Sequence, residues 1–416
     1  MEPLASRLFV CYVPGLDRRR ITTERTPFVH QLLSTCPTVG LTTHPGTDLL
    51  PTMLTGVYPH EHRMWEVSLR PEARMSRRPR LGDRLPGFVS TTLQSVRHLV
   101  DRSFDLPAVP ARRRRQLDVR RVRYAGRERG VRMLERIGEY RTVFGILAAD
   151  SRYLFTRRLE ALERLGGRLP SGEVALELFE VFALDLFQHW HMDDPRALDR
   201  AYRAVDDFIR QLHARCQQRG VTLMVLADHG QEPVSGAIPL MRVLRSSPVP
   251  EADYSYFCEI VFARFWFHTA DARARLTNLL REVQHTRLLS RRDLRALHIA
   301  FEDDTYGELF LAADPGWIFF PNDHDHPLIN LYRGLTDGHE RPRLSNPRPR
   351  GAHGHLPEHP SEAGFALLAD ERFRALQPQA ELIDVAPTLL DLLGEPHPSY
   401  MHGRAVFERA GSAREA

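Results

Sequence analysis

The chain alternates short, wholly apolar runs with longer stretches in which apolar residues recur every three or four positions. RLFVCYV (residues 7–13) is a β-branched apolar run broken by Pro14-Gly15, the pattern of a buried strand ending in a turn. Thr26-Pro27 opens FVHQLLSTC as a helix, with threonine at the cap and proline in the first turn. From Asp48 onward, LLPTMLTG reads as a short helix stopped by Gly56. TVFGIL (142–147) is a strand candidate, and SRYLFTRRLEALERLG (151–166) has helical spacing. ALELFEVFALD (175–185) predicts a long apolar strand ending at Asp185. PRALDRAYRAVDDFIRQLHARCQQRG (195–220) predicts a long helix with proline at its start and glycine just past its end, and VTLMVLADHG (221–230) a further buried strand. Strand, helix, strand in this order, with the strands largely apolar, predicts an α/β fold: a mostly parallel central sheet with helices on both faces. Ligands of such sheets bind beyond the carboxyl ends of the strands.

Residues 66–142 break the rhythm. They carry many arginines, RRRR at 112–115 among them, and only one short apolar stripe at helical spacing (Leu93, Val96, Leu99, Val100). This predicts an inserted, mostly surface segment, either a solvated loop or a lid or docking patch for an anionic partner.

Composition narrows the class. With 42% hydrophobic and 26% charged residues the chain is neither disordered nor fibrous. No apolar run approaches the roughly 20 residues that cross a bilayer, and the N-terminus lacks the pattern of a signal peptide. Four cysteines without CxxC spacing predict a reducing, cytoplasmic setting. No lysine occurs, so all 57 basic side chains are arginine, a bias that GC-rich coding produces. That excludes a P-loop lysine, a Schiff-base lysine and a lysine general base. A net charge of +4 and the lack of an RNA- or DNA-binding motif argue against a nucleic-acid partner.

The candidate chemistry follows the apolar runs. Asp185 ends FALD, with His189 four residues on, and Asp228 ends VLAD, followed at once by His229. His353 lies far along the chain in GAHGHLPEHP. Aspartate and histidine hold zinc and similar metals when three or four of them converge, and one sheet edge gathers residues distant in sequence. PNDHDHP (321–327) is a rival cluster between turn residues.

The order of TPFVHQL, PTMLTGVYPHEH, ALDLFQH, VLADHG, GAHGHLP and LIDVAPTLLDLLGEPHPSYMHGRAV resembles the alkaline phosphatase superfamily, most of all its type I phosphodiesterase/nucleotide pyrophosphatase branch. The likeness runs from residue 7 to about residue 407, more loosely over 66–142 and 233–345. It implies one alkaline phosphatase-like domain over 1–416 carrying the arginine-rich insertion and a smaller strand-containing cap at 233–345. It further implies a phosphoryl-transfer hydrolase with two divalent ions, zinc or manganese, acting on a small phosphodiester or nucleotide. Asp185, His189 and His353 would hold one ion, and Asp228 and His229 would help to hold the second. The nucleophile would be Thr47, one residue off the usual distance from the TG pair, with one metal activating it and the other a water.

The chain departs from the family in two respects. Pro14-Gly15 stands where the first strand of the family ends in a metal-binding Asp-Gly, so either Asp17, the nearest carboxylate, substitutes as the ligand or the second ion is weakly bound. Arg63 follows the histidine of the TG-x-YP-x-x-H element in place of glycine, and the stretch after Thr47 lacks an asparagine for the phosphoryl oxygens, a role that an arginine can fill. The alternative is a catalytically degraded relative that binds phosphorylated ligands or an anionic partner. HPGTDLL lacks the C/S-x-P-x-R context of sulfatases and the serine motif of the phosphatases proper.

Overall fold

The computed structural model describes residues 4–65, 134–325 and 327–410. Most of the arginine-rich stretch, including Arg112–Arg115 and the 93–100 stripe, lies outside the described residues.

The strands and helices that position the site are, in chain order, β1 (Leu8–Tyr12), α1 (Pro27–Thr35), β2 (Thr38–Thr42), α2 (Leu50–Thr55), α3 (Val143–Leu147), β3 (Ser151–Thr156), β4 (Leu176–Val181), α4 (Phe182–His191), α5 (Pro195–Arg219) and β5 (Thr222–Ala227). An antiparallel unit follows, β6 (Tyr254–Cys258), β7 (Phe262–Phe267), β8 (Thr286–Leu289) and β9 (Leu309–Ala313), and then β10 (Gly364–Leu368), β11 (Gln379–Glu381) and α6 (Val385–Leu392). The central sheet has the order β11-β2-β10-β5-β1-β4-β3. Every neighbouring pair is parallel except those of β10, which runs against both β2 and β5.

β1 is the centre of this sheet, and its alternation divides the core. Leu8, Val10 and Tyr12 pack beneath α2, α3 and α6, while Phe9, Cys11 and Val13 pack beneath α1 and α5. α5 is a clean case of sequence dictating structure. The Asp194 carboxylate accepts from the Ala197 amide (3.0 Å) at its start, and Gly220 ends it in the left-handed region at φ 64°. Between them, Leu198, Ala201, Tyr202, Val205, Phe208, Ile209, Leu212 and Cys216 are buried at three- and four-residue spacing. Each large apolar side chain so buried contributes roughly 1.5–3 kcal/mol.

Three assignments differ from those the sequence predicts. Residues 143–147 are helical, not extended, because the Thr142 hydroxyl accepts from the Gly145 amide (3.2 Å) and caps a turn there. Residues 151–156 form edge strand β3 paired with β4, and the helix of that stretch is confined to Leu162–Gly166. Ser151, Tyr153 and Thr156 are buried there, a strand-like pattern submerged in the helical period of the residues that follow. The run 175–185 is not one strand: β4 stops at Val181 and the chain enters α4 at once, which places Asp185 in the first turn of a helix. Both pieces are buried, so the apolar run is continuous across the boundary, and periodicity cannot divide it.

The antiparallel sheet, ordered β6-β7-β9-β8, lies within the 233–345 stretch. It has its own core, including Phe265, Leu276 and Leu311. On its other side the fully buried Arg264 pairs with Glu259 (2.6 Å) and lies 5.4 Å from the Trp65 ring, tying this sheet to the segment after α2.

Candidate metal centre

β1, β2, β4 and β5 run in one direction, so the loops that leave them emerge along one edge of the sheet. Each brings chemistry. β4 leads into α4, where Asp185 and His189 stand four residues apart on one helical face. β5 ends at Ala227 and delivers Asp228 and His229. β1 ends in the Pro14-Gly15 turn, and Gly15 (φ 75°) packs so closely on α4 that a Cβ there would lie 3.3 Å from the Asp185 Cα and 2.7 Å from the Gln188 amide nitrogen. His353 comes from the loop after a short strand, Gly351–Ala352, that pairs with Glu232–Pro233.

The Asp185 carboxylate is the hub. His189 Nε2 lies 3.6 Å from its Oδ2 and His353 Nε2 lies 3.4 Å from its Oδ1. Among the described residues, Asp185, His189 and His353 form the one group of three acid, histidine or cysteine side chains whose donor atoms all fall within 4.8 Å of one another. The 321–327 stretch yields no such group among its described residues, and Asp323 there accepts from the Cys258 amide (2.8 Å). Beside the hub, His229 stacks on His353 with ring centroids 3.9 Å apart and holds its Nε2 3.5 Å from Asp228 Oδ1.

The hydrogen bonds fix which nitrogens are free. His189 Nδ1 meets the Gly351 carbonyl (2.9 Å), and His229 Nδ1 meets that of Gly230 (2.7 Å). A carbonyl only accepts, so Nδ1 carries the proton in both rings and each neutral ring turns the lone pair of Nε2 toward a buried carboxylate. Lone pair against carboxylate is repulsive, and a proton or a cation must lie between them. His353 Nδ1 is buried with no hydrogen-bond partner. These are features of a donor set shaped for a cation, and an Asp/His set with imidazole nitrogens suits zinc and also accepts manganese.

The electrostatics agree. Burial alone would raise the Asp185 pKa, but the imidazoles of His353 and His189 hold it far below the carboxylate range. Burial opposes protonation of His189 and His229; the carboxylates of Asp185 and Asp228 respectively overcome it and raise both rings above their ordinary value. His353 is pushed down to about 3, by burial first and then by the neighbouring His229, so it is neutral and able to donate a lone pair at physiological pH.

Two further residues support the centre and are not evident from the sequence. Gln231 Nε2 donates to Asp185 Oδ1 (2.6 Å) and to the Asp185 carbonyl (3.0 Å), which fixes the carboxylate plane. Tyr12, the last residue of β1, donates its hydroxyl to Asp228 Oδ2. Both are ordinary strand or loop residues in the sequence; only the register of β1 against β5 and the turn after His229 reveal them. Gln231→Leu is expected to keep the fold and weaken divalent-ion affinity by about 10–100-fold, measured by isothermal titration with zinc, because it frees the Asp185 carboxylate to reorient.

Thr47 lies where the sequence places it, between β2 and α2. It is exposed, and the adjacent Gly46 amide donates to the carbonyl of Gly354, the residue after His353 (3.1 Å). A Cβ on Gly354 would stand 3.4 Å from Thr47 Cγ2, so the Thr47 loop and the His353 loop are in van der Waals contact. α2 begins at Leu50 and not at Asp48, two residues later than predicted. Asp17 is buried against Gly230, whose Cβ would meet its carboxyl carbon at 2.5 Å, next to the Asp228-His229 pair. Its oxygens are engaged by Arg19, Nη2 to Oδ2 at 2.7 Å and Nε to Oδ1 at 3.0 Å. The structure thus unites Asp185, His189 and His353, sets His229 and Asp228 beside them, and leaves Asp17 next to that pair but bound to an arginine.

Comparison with known proteins identifies the family and the fold. Residues 120–355 match the sequence profile of the type I phosphodiesterase/nucleotide pyrophosphatase family. No protein of curated function matches the chain in sequence. Among solved structures, murine ectonucleotide pyrophosphatase/phosphodiesterase 5 superposes with a TM-score of 0.63 at 13% identity, covering 95% of this chain and 96% of that one. An inactive variant of the same murine protein in complex with AMP gives 0.61 at 13% identity, covering 95% and 96%. The human protein gives 0.60 at 12%, covering 95% and 97%. At such identity these likenesses establish the fold.

Proposed function

The chain belongs to the type I phosphodiesterase/nucleotide pyrophosphatase family, a family of hydrolases, and from that premise we propose that it cleaves a small phosphodiester or nucleotide pyrophosphate by attack of Thr47 on phosphorus. The observation that carries this reading is the contact of the exposed Thr47 loop with the loop of His353, which itself belongs to the Asp-His-His group.

Asp185, His189 and His353 would hold one divalent ion, and Asp228 and His229, with Asp17, the second. Divalent ions bound there supply Lewis acidity and lower the pKa of a coordinated hydroxyl or water. The chain's own residues do the rest. Asp185, held by Gln231, keeps two imidazoles aimed at one point. The Gly46–Gly354 backbone bond ties the Thr47 loop to the loop that carries His353. AMP bound to the murine relative supports a nucleotide as the substrate class. The four cysteines form no disulfide and three of them are buried, which supports a reducing, cytoplasmic setting. No helix of the described residues is long and apolar enough to cross a membrane.

The test is turnover. Zinc-loaded protein is expected to hydrolyse bis-p-nitrophenyl phosphate and at least one dinucleotide or nucleoside polyphosphate, to lose that activity in chelator and to regain it with zinc. Turnover indifferent to chelator, or none with any phosphoester, overturns the proposal. The degraded-relative reading is favoured by one observation, that both acids of the second locus are already engaged, Asp17 by Arg19 and Asp228 by Tyr12. About two ions per chain by elemental analysis supports the enzyme, and one or none supports the binder.

A further inference from the structure

We infer that His44, Thr52 and His62 form a one-way hydrogen-bond relay that holds the Thr47 loop in place, which makes them positioning residues for the hydroxyl; this rests on the reading of Thr47 given above. All three side chains are buried. They come from separate segments: the loop after β2, the middle of α2 and the single helical turn Pro59–His62.

The direction of every link follows from its ends. The Met64 amide donates to His62 Nδ1 (3.1 Å), so that nitrogen accepts and the ring proton sits on Nε2. His62 Nε2 therefore donates to the Thr52 hydroxyl (3.1 Å), which in turn donates to His44 Nε2 (2.9 Å). At the far end His44 Nδ1 meets the Pro45 carbonyl (3.1 Å), which can only accept. The two imidazoles are thus held in opposite tautomers, His62 protonated at Nε2 and His44 at Nδ1. A second proton on either ring breaks a link. Burial enforces the neutral state, pushing His44 down to about 4 and His62 well below its ordinary value.

The relay ends two residues from Thr47. The Pro45 carbonyl also accepts from the Trp65 indole (2.7 Å), and the next residue, Gly46, donates its amide to Gly354. Gly354 is itself held, its amide donating to the buried Glu362 carboxylate (2.9 Å). The loop is pinned on one side by the relay and on the other by the His353 loop, with an exposed hydroxyl at its tip. A set of polar groups that only satisfied one another inside the core would have no reason to converge on the residue that precedes the Gly46–Gly354 contact.

Thr52→Val removes the hydroxyl without changing shape. It is expected to lower kcat about 10–100-fold while KM stays within about twofold, since a misplaced nucleophile costs rate more than binding. Thr52→Ser is expected to restore kcat to within about threefold. The independent readout is the ¹⁵N spectrum of the imidazoles: wild-type protein should show His44 protonated at Nδ1 and His62 at Nε2, and Thr52→Val should keep both tautomers, which the Pro45 carbonyl and the Met64 amide set, while shifting the two Nε2 resonances that lose their hydroxyl partner. If Thr52→Val does not fold, His62→Gln is expected to give the same split between kcat and KM. Mixed tautomers in the wild type overturn the relay whether or not Thr47 reacts. Opposed tautomers together with unchanged kcat in Thr52→Val overturn the positioning role. A fully active Thr47→Ala overturns the nucleophile and that role with it, while the tautomers are read without turnover.

Discussion

Thr47→Ala is expected to reduce kcat at least about a thousandfold while leaving the metal content and the fold unchanged. Thr47 is an exposed hydroxyl whose loop touches the His353 loop, yet its side chain fills no core. Removing it deletes the hydroxyl proposed to attack phosphorus and leaves the core intact. Steady-state kinetics on bis-p-nitrophenyl phosphate, with zinc measured in the same sample, checks the prediction. A variant with wild-type kcat and wild-type zinc would show that water attacks directly and that Thr47 only shapes the loop.

The second large effect belongs to Asp185. Asp185→Asn keeps the shape of the side chain but removes the charge that faces His189 and His353 and that Gln231 orients. Divalent-ion affinity is expected to fall at least about a hundredfold and turnover to fall below detection, with the circular dichroism spectrum unchanged. The change is large because the carboxylate is buried, and a cation among neutral imidazoles alone lacks the charge that would offset its own desolvation. A tightly bound, stoichiometric zinc in this variant would show that the cation is held elsewhere.

The sequence discloses the scaffold where a single physical rule governs a segment. β1, α5 and β5 are legible because their apolar periods are unmixed and their ends carry the expected caps and turns. It misleads where two buried elements abut, as at Val181–Phe182, and where a strong cap overrides a β-branched run, as at Thr142. The shift at 175–185 has a chemical consequence, since it makes Asp185 and His189 neighbours on one face of α4 and not the end of a strand and a following loop. The ligand candidates are legible because acids and imidazoles after apolar runs are conspicuous. Their supports are not. Gln231, Tyr12 and the His44–Thr52–His62 relay act through partners 8 to 216 residues away, and no local pattern announces such contacts. Asp17 shows the converse: it lies where a substitute ligand is needed, but the structure pairs it with Arg19, a neighbour two residues away.

The proposed chemistry requires a cation at the α4 carboxylate. Crystals grown with zinc and measured at the zinc absorption edge locate it directly. An anomalous peak is predicted among Asp185, His189 and His353. A peak confined to Asp323–Asp325, or none at the α4 carboxylate, would contradict it.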